Sequence, residues 1–205
     1  EIDRLLASQQ AEFGYEEMRL INDLGVVRSP FLDSELLREV CFCETMRAIL
    51  DHVFADQVVL HVNRAVVNDP ETKHPATVWH REPPYVDFTA SRPLALTFIH
   101  LIDESGPENG GITLLPGSHQ WEYFPSDEYV RRNAQMPQMP SGAILVFNSL
   151  LFHAGTENYG SDIRRSLVTI FTSPIIKQQV DIPHMIRERQ LEEVIDKIPN
   201  GHFLL

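Results

Sequence analysis

Residues 143–172 read AILVFNSLLFHAGTENYGSDIRRSLVTIFT, and this segment is the main indication of the fold class. Two apolar runs rich in β-branched and aromatic residues, 143–153 and 164–172, flank ENYGSD, a segment of turn-forming residues. The pattern predicts two buried strands joined as a hairpin, the first ending at His153 and the second starting at Arg164. We therefore expect these two polar side chains to lie near one another.

Four further short runs have the same composition and are separated by Pro, Gly, Asn and Asp. They are VVLHVNRAVV (58–67), TVWHRE (77–82), LALTFIHLI (94–102) and GITLLP (111–116). Six such strands with turn signals between them predict an all-β barrel or sandwich.

Apolar residues at helical spacing occur both before and after this β-rich middle. The spacing is clear from Asp33 to Phe54, where Asp33 or Ser34 would cap the helix, and weaker over residues 1–22. It returns from Pro183 to Lys197. The predicted organisation is a single domain, 1–205, with a helical front at 1–56, a β core at 57–174 and a helical tail at 175–205.

Composition narrows the range of partners. The 205 residues carry a formal net charge of −12, which argues against a nucleic-acid or anionic-membrane partner. No apolar run approaches the roughly 20 residues that a membrane helix needs. The two cysteines, Cys41 and Cys43, are too close in sequence for easy disulfide geometry, so we expect free thiols and a cytoplasmic location.

A candidate metal site centres on the segment WHRE. Side chains two apart on a strand project to the same face, so His80 and Glu82 can reach one metal. His153, at the end of its apolar run, is the best third ligand. Two histidines and one carboxylate form the facial triad of non-haem iron(II) oxygenases, which leaves coordination positions open.

Arg164 completes the candidate site. Its guanidinium is a planar fork of donors that suits a carboxylate. The adjacent Arg165 points to the opposite face of the strand, so we expect at most one of the pair to serve the site.

Three segments together resemble the phytanoyl-CoA dioxygenase family of iron(II)/2-oxoglutarate oxygenases: WHRE, PENGGITLLPGSH (107–119) and FHAGTENYGSDIRRSL (152–167). The resemblance implies a double-stranded β-helix, or jelly roll, flanked by helices. It places the iron ligands on His80, Glu82 and His153, and the 2-oxoglutarate arginine on Arg164. It also places Phe98 near the cosubstrate, at a position where relatives often carry Trp.

The chain departs from the family pattern at one ligand. The family motif is His-x-Asp, whereas here Glu82 supplies the carboxylate, with the same ligand chemistry and one more methylene. Asp87 is a rival ligand if Glu82 turns away. The presence of a carboxylate at this position argues against halogenation.

The resemblance implies a dioxygenase that uses iron(II), 2-oxoglutarate and dioxygen to hydroxylate an aliphatic C–H bond of a small molecule. Two alternatives stay open: a cupin-like metalloenzyme that does not use 2-oxoglutarate, and a non-catalytic jelly-roll binding protein. The helical front, the loop 71–77, the stretch 120–140 and the tail after Pro174 are expected to enclose the site. Among the other histidines, His100 is expected either to line the pocket or to pack in the core. The substrate and the oligomeric state are left open.

Overall fold

The apolar runs form the centre of a six-stranded sheet in the computed structural model, which describes residues 1–54, 57–71, 78–196 and 203–204. Its strands are β1 (Val26–Arg28), β2 (Val58–Asn68), β3 (Ala95–Leu101), β5 (Ile144–Asn148), β7 (Arg164–Thr172) and β8 (Phe203–Leu204). The strand order is β1-β2-β7-β3-β5, all antiparallel, and β8 pairs in parallel with the start of β2.

A short second sheet holds the two histidines that the sequence predicts as metal ligands. β4 (Ile112–Leu114) pairs with β6 (His153–Gly155) in antiparallel register, and an isolated bridge adds His80 on the far side of His153. Ile112 belongs to the same buried apolar cluster as Ile99 and Val168 of the large sheet, so the two sheets share an interior.

Several helices pack on the outer face of the large sheet. The helices of the described residues are α1 (Ile2–Phe13), α2 (Tyr15–Leu20), α3 (Glu35–Cys41), α4 (Glu44–Val53), α5 (Asp127–Asn133), α6 (Ile182–Glu188) and α7 (Glu193–Asp196). Phe31 and Phe42 of the front stack edge-on with each other, and Phe42 with Phe171 of β7, at ring-centroid distances of 6.0 and 6.2 Å. No helix in the described part of the chain is long and apolar enough to cross a membrane.

The helical front is more broken than its periodicity predicts. The expected helix over 33–54 is two helices, α3 and α4, and Ser34 caps the first by accepting a hydrogen bond from the Leu37 amide at 3.3 Å. Gly14, with φ at +82°, separates α1 from α2. β1 was not predicted at all, because three residues are too short to show an alternating pattern.

The predicted hairpin between 143–153 and 164–172 is wrong. The first run turns at residues 149–151, so β5 ends at Asn148 and His153 begins a separate strand in the small sheet. β7 pairs instead with β2 and β3, because it is long enough to occupy the middle of the large sheet with neighbours on both edges. The segment ENYGSD therefore crosses between sheets.

Candidate active site

His80 and His153 lie directly opposite each other. Each backbone amide donates to the other's carbonyl, at 3.0 Å from His80 and 2.9 Å from His153. Their imidazole rings are 4.2 Å apart between centroids. The bridge thus fixes two potential nitrogen ligands side by side, although the predicted strand over 77–82 is reduced to this single pairing.

Both imidazoles are held in the same tautomer. Nδ1 of His80 lies 2.8 Å from the Val78 carbonyl, and Nδ1 of His153 lies 2.9 Å from the Leu151 carbonyl. Because a carbonyl only accepts, each Nδ1 must carry the proton, which leaves Nε2 as the lone-pair nitrogen. Burial and the neighbouring His80 lower the pKa of His153 to about 3, so it is the neutral imidazole that a metal requires.

Glu82, two residues after His80, lies beside the two histidines. Its amide donates to the Ser149 carbonyl at 2.8 Å, and its side chain is buried. Oε1 lies 3.8 Å from Nε2 of His80. Arg81, between them, points the other way: Nη2 donates to the Trp121 carbonyl at 2.6 Å. His80 and Glu82 therefore face the same side and Arg81 faces the other, as predicted for the segment WHRE.

The Glu82 carboxylate is also paired with an arginine. Nη2 of Arg64, on β2, lies 3.3 Å from Oε1, closer than His80. Within residues 1–54, 57–71 and 78–196, no three His, Cys, Asp or Glu side chains are spaced as a ready three-ligand metal site. The two histidines and Glu82 supply a donor set that suits iron(II), with the carboxylate drawn toward Arg64.

The rival carboxylate, Asp87, does not reach the site. Its side chain is exposed, and it does not line the cavity that contains Glu82. The structure therefore brings Glu82, and not Asp87, to the two histidines.

Arg164 is buried in the same cavity, only 4% exposed. Nη1 reaches Ser166 Oγ at 3.5 Å, and Nε has no hydrogen-bond partner among the described residues. Burial lowers the pKa of Arg164 to about 10, against the opposing field of Asp103, so the group stays charged at neutral pH. A buried cation with an unused donor is suited to binding a carboxylate.

Arg165 points outward as expected. Its guanidinium bridges Asp3 of α1 at 2.7 Å and Asp103 at 3.0 Å. The two neighbouring arginines thus divide into one that faces the cavity and one that fastens the N-terminal helix to the sheet.

The segment ENGG shapes the wall beside Arg164. Asn68, paired with Arg164 across β2 and β7, donates to the carbonyls of Gly110 and Thr156 at 3.3 and 3.0 Å. Gly110 has φ at +77°, and a Cβ there would lie 2.2 Å from the Asn68 amide nitrogen. Only glycine fits that approach.

One cavity of about 610 Å³ is lined by the two histidines together with Glu82, Arg64, Asn68 and Arg164. Its polar end carries His80, Glu82, His153 and Arg164, and its walls are apolar side chains from four strands: Val66, Ile99, Ile112, Val168 and Ile170. The helical front contributes residues 21–23 and the tail Gln179, whereas the stretch 120–140 does not line it. Of the predicted loop 71–77, residues 72–77 lie outside the described residues.

The expectation for Phe98 is wrong. Phe98 is fully buried on the helix-facing side of β3, with its ring 6.1 Å from that of Phe171. Its neighbours Thr97 and Ile99 face the cavity instead. His100, on the same outward face as Phe98, lies 3.9 Å from Cys43 Sγ, so it packs in the core and does not line the pocket.

Sequence reasoning missed Arg64 and Asn68. Both lie on β2, separated by Val66, and all three line the cavity. The signal was present, because i, i+2 and i+4 on a strand share a face. It was hidden by the bulge between Leu60 and Val62, which shifts the alternation within the same run.

Comparison with known proteins supports the fold and the family. Residues 3–166 match the profile of the phytanoyl-CoA dioxygenase family. A protein of Mycobacterium tuberculosis is 27% identical over 189 residues, covering 87% of this chain and 68% of the relative. Dioxygenase OlcK of Penicillium canescens is 30% identical over 161 residues, covering 73% of this chain and 52% of that protein. The chain thus spans about half the length of this fungal relative.

Solved structures show the same architecture. EctD from S. alaskensis, crystallised with 2-oxoglutarate and 5-hydroxyectoine, superposes with a TM-score of 0.62 at 20% identity, covering 73% of this chain and 56% of EctD. The α-ketoglutarate-dependent epimerase SnoN of nogalamycin biosynthesis gives 0.56 at 18% identity, covering 72% and 60%. The predicted jelly roll with flanking helices is confirmed. Because the family profile matches well over half of its residues, the chain belongs to the phytanoyl-CoA dioxygenase family.

Proposed function

We propose that this chain is an iron(II)/2-oxoglutarate-dependent dioxygenase. His80, Glu82 and His153 would hold iron(II), and Arg164 would hold the far carboxylate of 2-oxoglutarate. When bound, iron(II) supplies the chemistry of dioxygen activation, in which 2-oxoglutarate is decarboxylated to succinate and a substrate C–H bond is oxidised.

The observation that carries the proposal is the buried Arg164 guanidinium in the cavity of the two histidines. Burying a charge is costly unless it is paired, and its Nε has no partner among the described residues. A dicarboxylate that binds in the cavity would supply that partner. A cupin-like metalloenzyme that does not use 2-oxoglutarate would have no need of this group.

The histidines are prepared for a metal by their backbone contacts. The carbonyls of Val78 and Leu151 fix each Nδ1–H and so orient each Nε2. Such outer contacts typically set ligand orientation at metal sites. The mutual backbone bridge adds rigidity, because neither histidine can shift without breaking two hydrogen bonds.

The apolar walls define the reaction environment. Five aliphatic side chains of the interior face line the cavity, and they would contact a carbon skeleton bound near the polar end. Hydroxylation of an aliphatic C–H bond is the outcome that we propose. The volume of about 610 Å³ suits a small molecule together with the cosubstrate.

The test is succinate formation from 2-oxoglutarate by metal-free protein supplied with iron(II) and oxygen, without an added substrate. We expect slow succinate production that is lost in Glu82→Ala and Arg164→Ala. Arg165→Ala is the matched control, since it removes a guanidinium from the same strand that faces away from the cavity. No succinate from the wild type, with iron bound and 2-oxoglutarate not bound, would contradict the proposal.

A further inference from the structure

We propose that Arg64 is a cation that competes with the metal for Glu82 and that, once displaced, binds a carboxylate of the substrate. The inference rests on the proposed metal site and deepens it, because it names the substrate class as a small molecule that carries a carboxylate group.

One oxygen of Glu82 faces both partners. Oε1 lies 3.3 Å from Arg64 Nη2 and 3.8 Å from His80 Nε2. A metal held by both Glu82 and His80 would compete with Arg64 for this carboxylate. We expect metal binding to draw Glu82 toward His80 and to weaken its contact with Arg64.

The freed guanidinium stays in the cavity. Arg64 projects from the middle of β2, between β1 and β7, and its side chain is 34% exposed and lines the cavity. Its Nε is buried without a hydrogen-bond partner among the described residues. Arg64 thus has donors to offer after it leaves Glu82.

The charge balance of the cavity favours an anion at that point. Among the described residues, three arginines and two acidic residues line it: Arg28, Arg64, Arg164, Asp23 and Glu82. Asp23 already pairs with Arg28. Iron(II) would be neutralised by Glu82 and one carboxylate of 2-oxoglutarate, and Arg164 by the other carboxylate, so the unneutralised cation is Arg64.

Metal and anion are then linked. A carboxylate that binds the displaced Arg64 stabilises the arrangement in which Glu82 faces the metal, so each ligand raises the affinity for the other. A planar guanidinium favours a carboxylate through two parallel hydrogen bonds.

The first test measures manganese(II) affinity by calorimetry, with manganese as a redox-stable stand-in for iron. We expect Arg64→Met to bind the metal about three- to tenfold more tightly than the wild type, the scale of a partly exposed ion pair. Arg64→Lys, which keeps the charge, should remain near the wild type. Arg28→Met is the matched control, since Arg28 faces the same cavity from the paired position on β1 and should leave metal affinity unchanged. Weaker or unaltered metal binding in Arg64→Met would overturn the competition.

The second test adds the anion. With 2-oxoglutarate saturating, hexanoate should raise the manganese affinity of the wild type, whereas the neutral isostere hexanamide should not, and Arg64→Met should lose the hexanoate effect. A hexanoate effect that is absent, or equal in Arg64→Met, would overturn the anion-binding role.

His153→Ala separates failure of this inference from failure of the metal site. If His153→Ala binds manganese as well as the wild type, the proposed metal site itself is wrong. If it loses the metal while Arg64→Met matches the wild type, the metal site stands and only the role of Arg64 is wrong.

Discussion

Two asparagines on β2 show how differently the two faces of the large sheet are built. Asn63, on the helix-facing side, accepts from the Phe31 amide at 3.3 Å and donates to Thr169 Oγ1 at 3.0 Å. Asn68, on the cavity side, donates twice, but its buried Oδ1 has no partner among the described residues. Both polar atoms of the outer-face amide are therefore paired, whereas the inner-face amide leaves its oxygen unpaired.

The difference indicates that the outer face of the sheet mainly provides stability and the inner face mainly binds ligands. A buried polar atom without a partner costs about 1–3 kcal/mol, so the cavity face destabilises the metal-free and cosubstrate-free protein. The aromatic packing on the other face offsets that cost. We expect substitutions on the outer face to reduce stability and substitutions on the inner face to reduce ligand binding.

The largest effect should come from Phe98→Ala. Removing this fully buried ring should lower the free energy of unfolding by about 3–5 kcal/mol, measured by denaturant titration, because it leaves a cavity beside Phe171. Binding of 2-oxoglutarate to the folded fraction should be unchanged. Loss of 2-oxoglutarate binding without loss of stability would instead place Phe98 at the cosubstrate and contradict the separate roles of the two faces.

Arg164→Met tests the inner face in the same way. We expect 2-oxoglutarate affinity to fall by about 100-fold, since a buried carboxylate would lose its charged partner. The stability of the ligand-free protein should not fall, because the variant removes a buried, incompletely paired charge. Calorimetric titration of 2-oxoglutarate checks the first expectation, and an unchanged affinity would show that another group holds the far carboxylate.

His100 is a titratable group on the outer face, and its effect on stability should depend on pH. Burial lowers its pKa to about 4, below the ordinary value of 6.5, so the unfolded chain takes up a proton before the folded protein does. Stability from this residue is therefore present above pH 6.5 and is lost as the pH falls toward 4. Between pH 7.5 and 5 the loss should be about 2 kcal/mol.

His100→Gln should reduce that pH dependence by the same amount, measured by urea unfolding at both pH values. His61, whose pKa burial also lowers to about 4, should supply a similar acid sensitivity that the variant retains. A pH dependence unchanged by the substitution would contradict the buried neutral state of His100.

The smallest effect should come from Arg165→Met. Its partners Asp3 and Asp103 are 61% and 36% exposed, so the ion pairs should contribute less than about 1 kcal/mol to stability. Thermal unfolding should shift slightly, and 2-oxoglutarate affinity should equal that of the wild type. A large loss of cosubstrate affinity would mean that the two arginines do not divide their roles as their directions indicate.

Sequence patterns predicted the positions of the strands better than the pairing between strands. The run RRSLVTIFT is β7 residue for residue, because β-branched residues and flanking turn formers define both ends. The run ending in FH has the pattern of one strand paired with β7, yet Ser149 and Leu150 turn the chain into the other sheet. Pairing depends on contacts between distant residues, which a local pattern does not encode.

The site itself was partly readable. His80, Glu82, His153 and Arg164 were predicted, and all four line the cavity. Phe98 was misplaced by one residue, which on a strand reverses the face. The contact of Arg64 with Glu82 joins β2 to a segment 18 residues later and needs the fold to be seen.

Metal-dependent binding of 2-oxoglutarate tests the central claim most directly. Metal-free protein should be titrated with 2-oxoglutarate by calorimetry, alone and with saturating manganese(II). We expect one binding site per chain that appears only with the metal, is lost in His153→Ala and is strongly weakened in Arg164→Met. Equal binding with and without metal, or none under either condition, would contradict it.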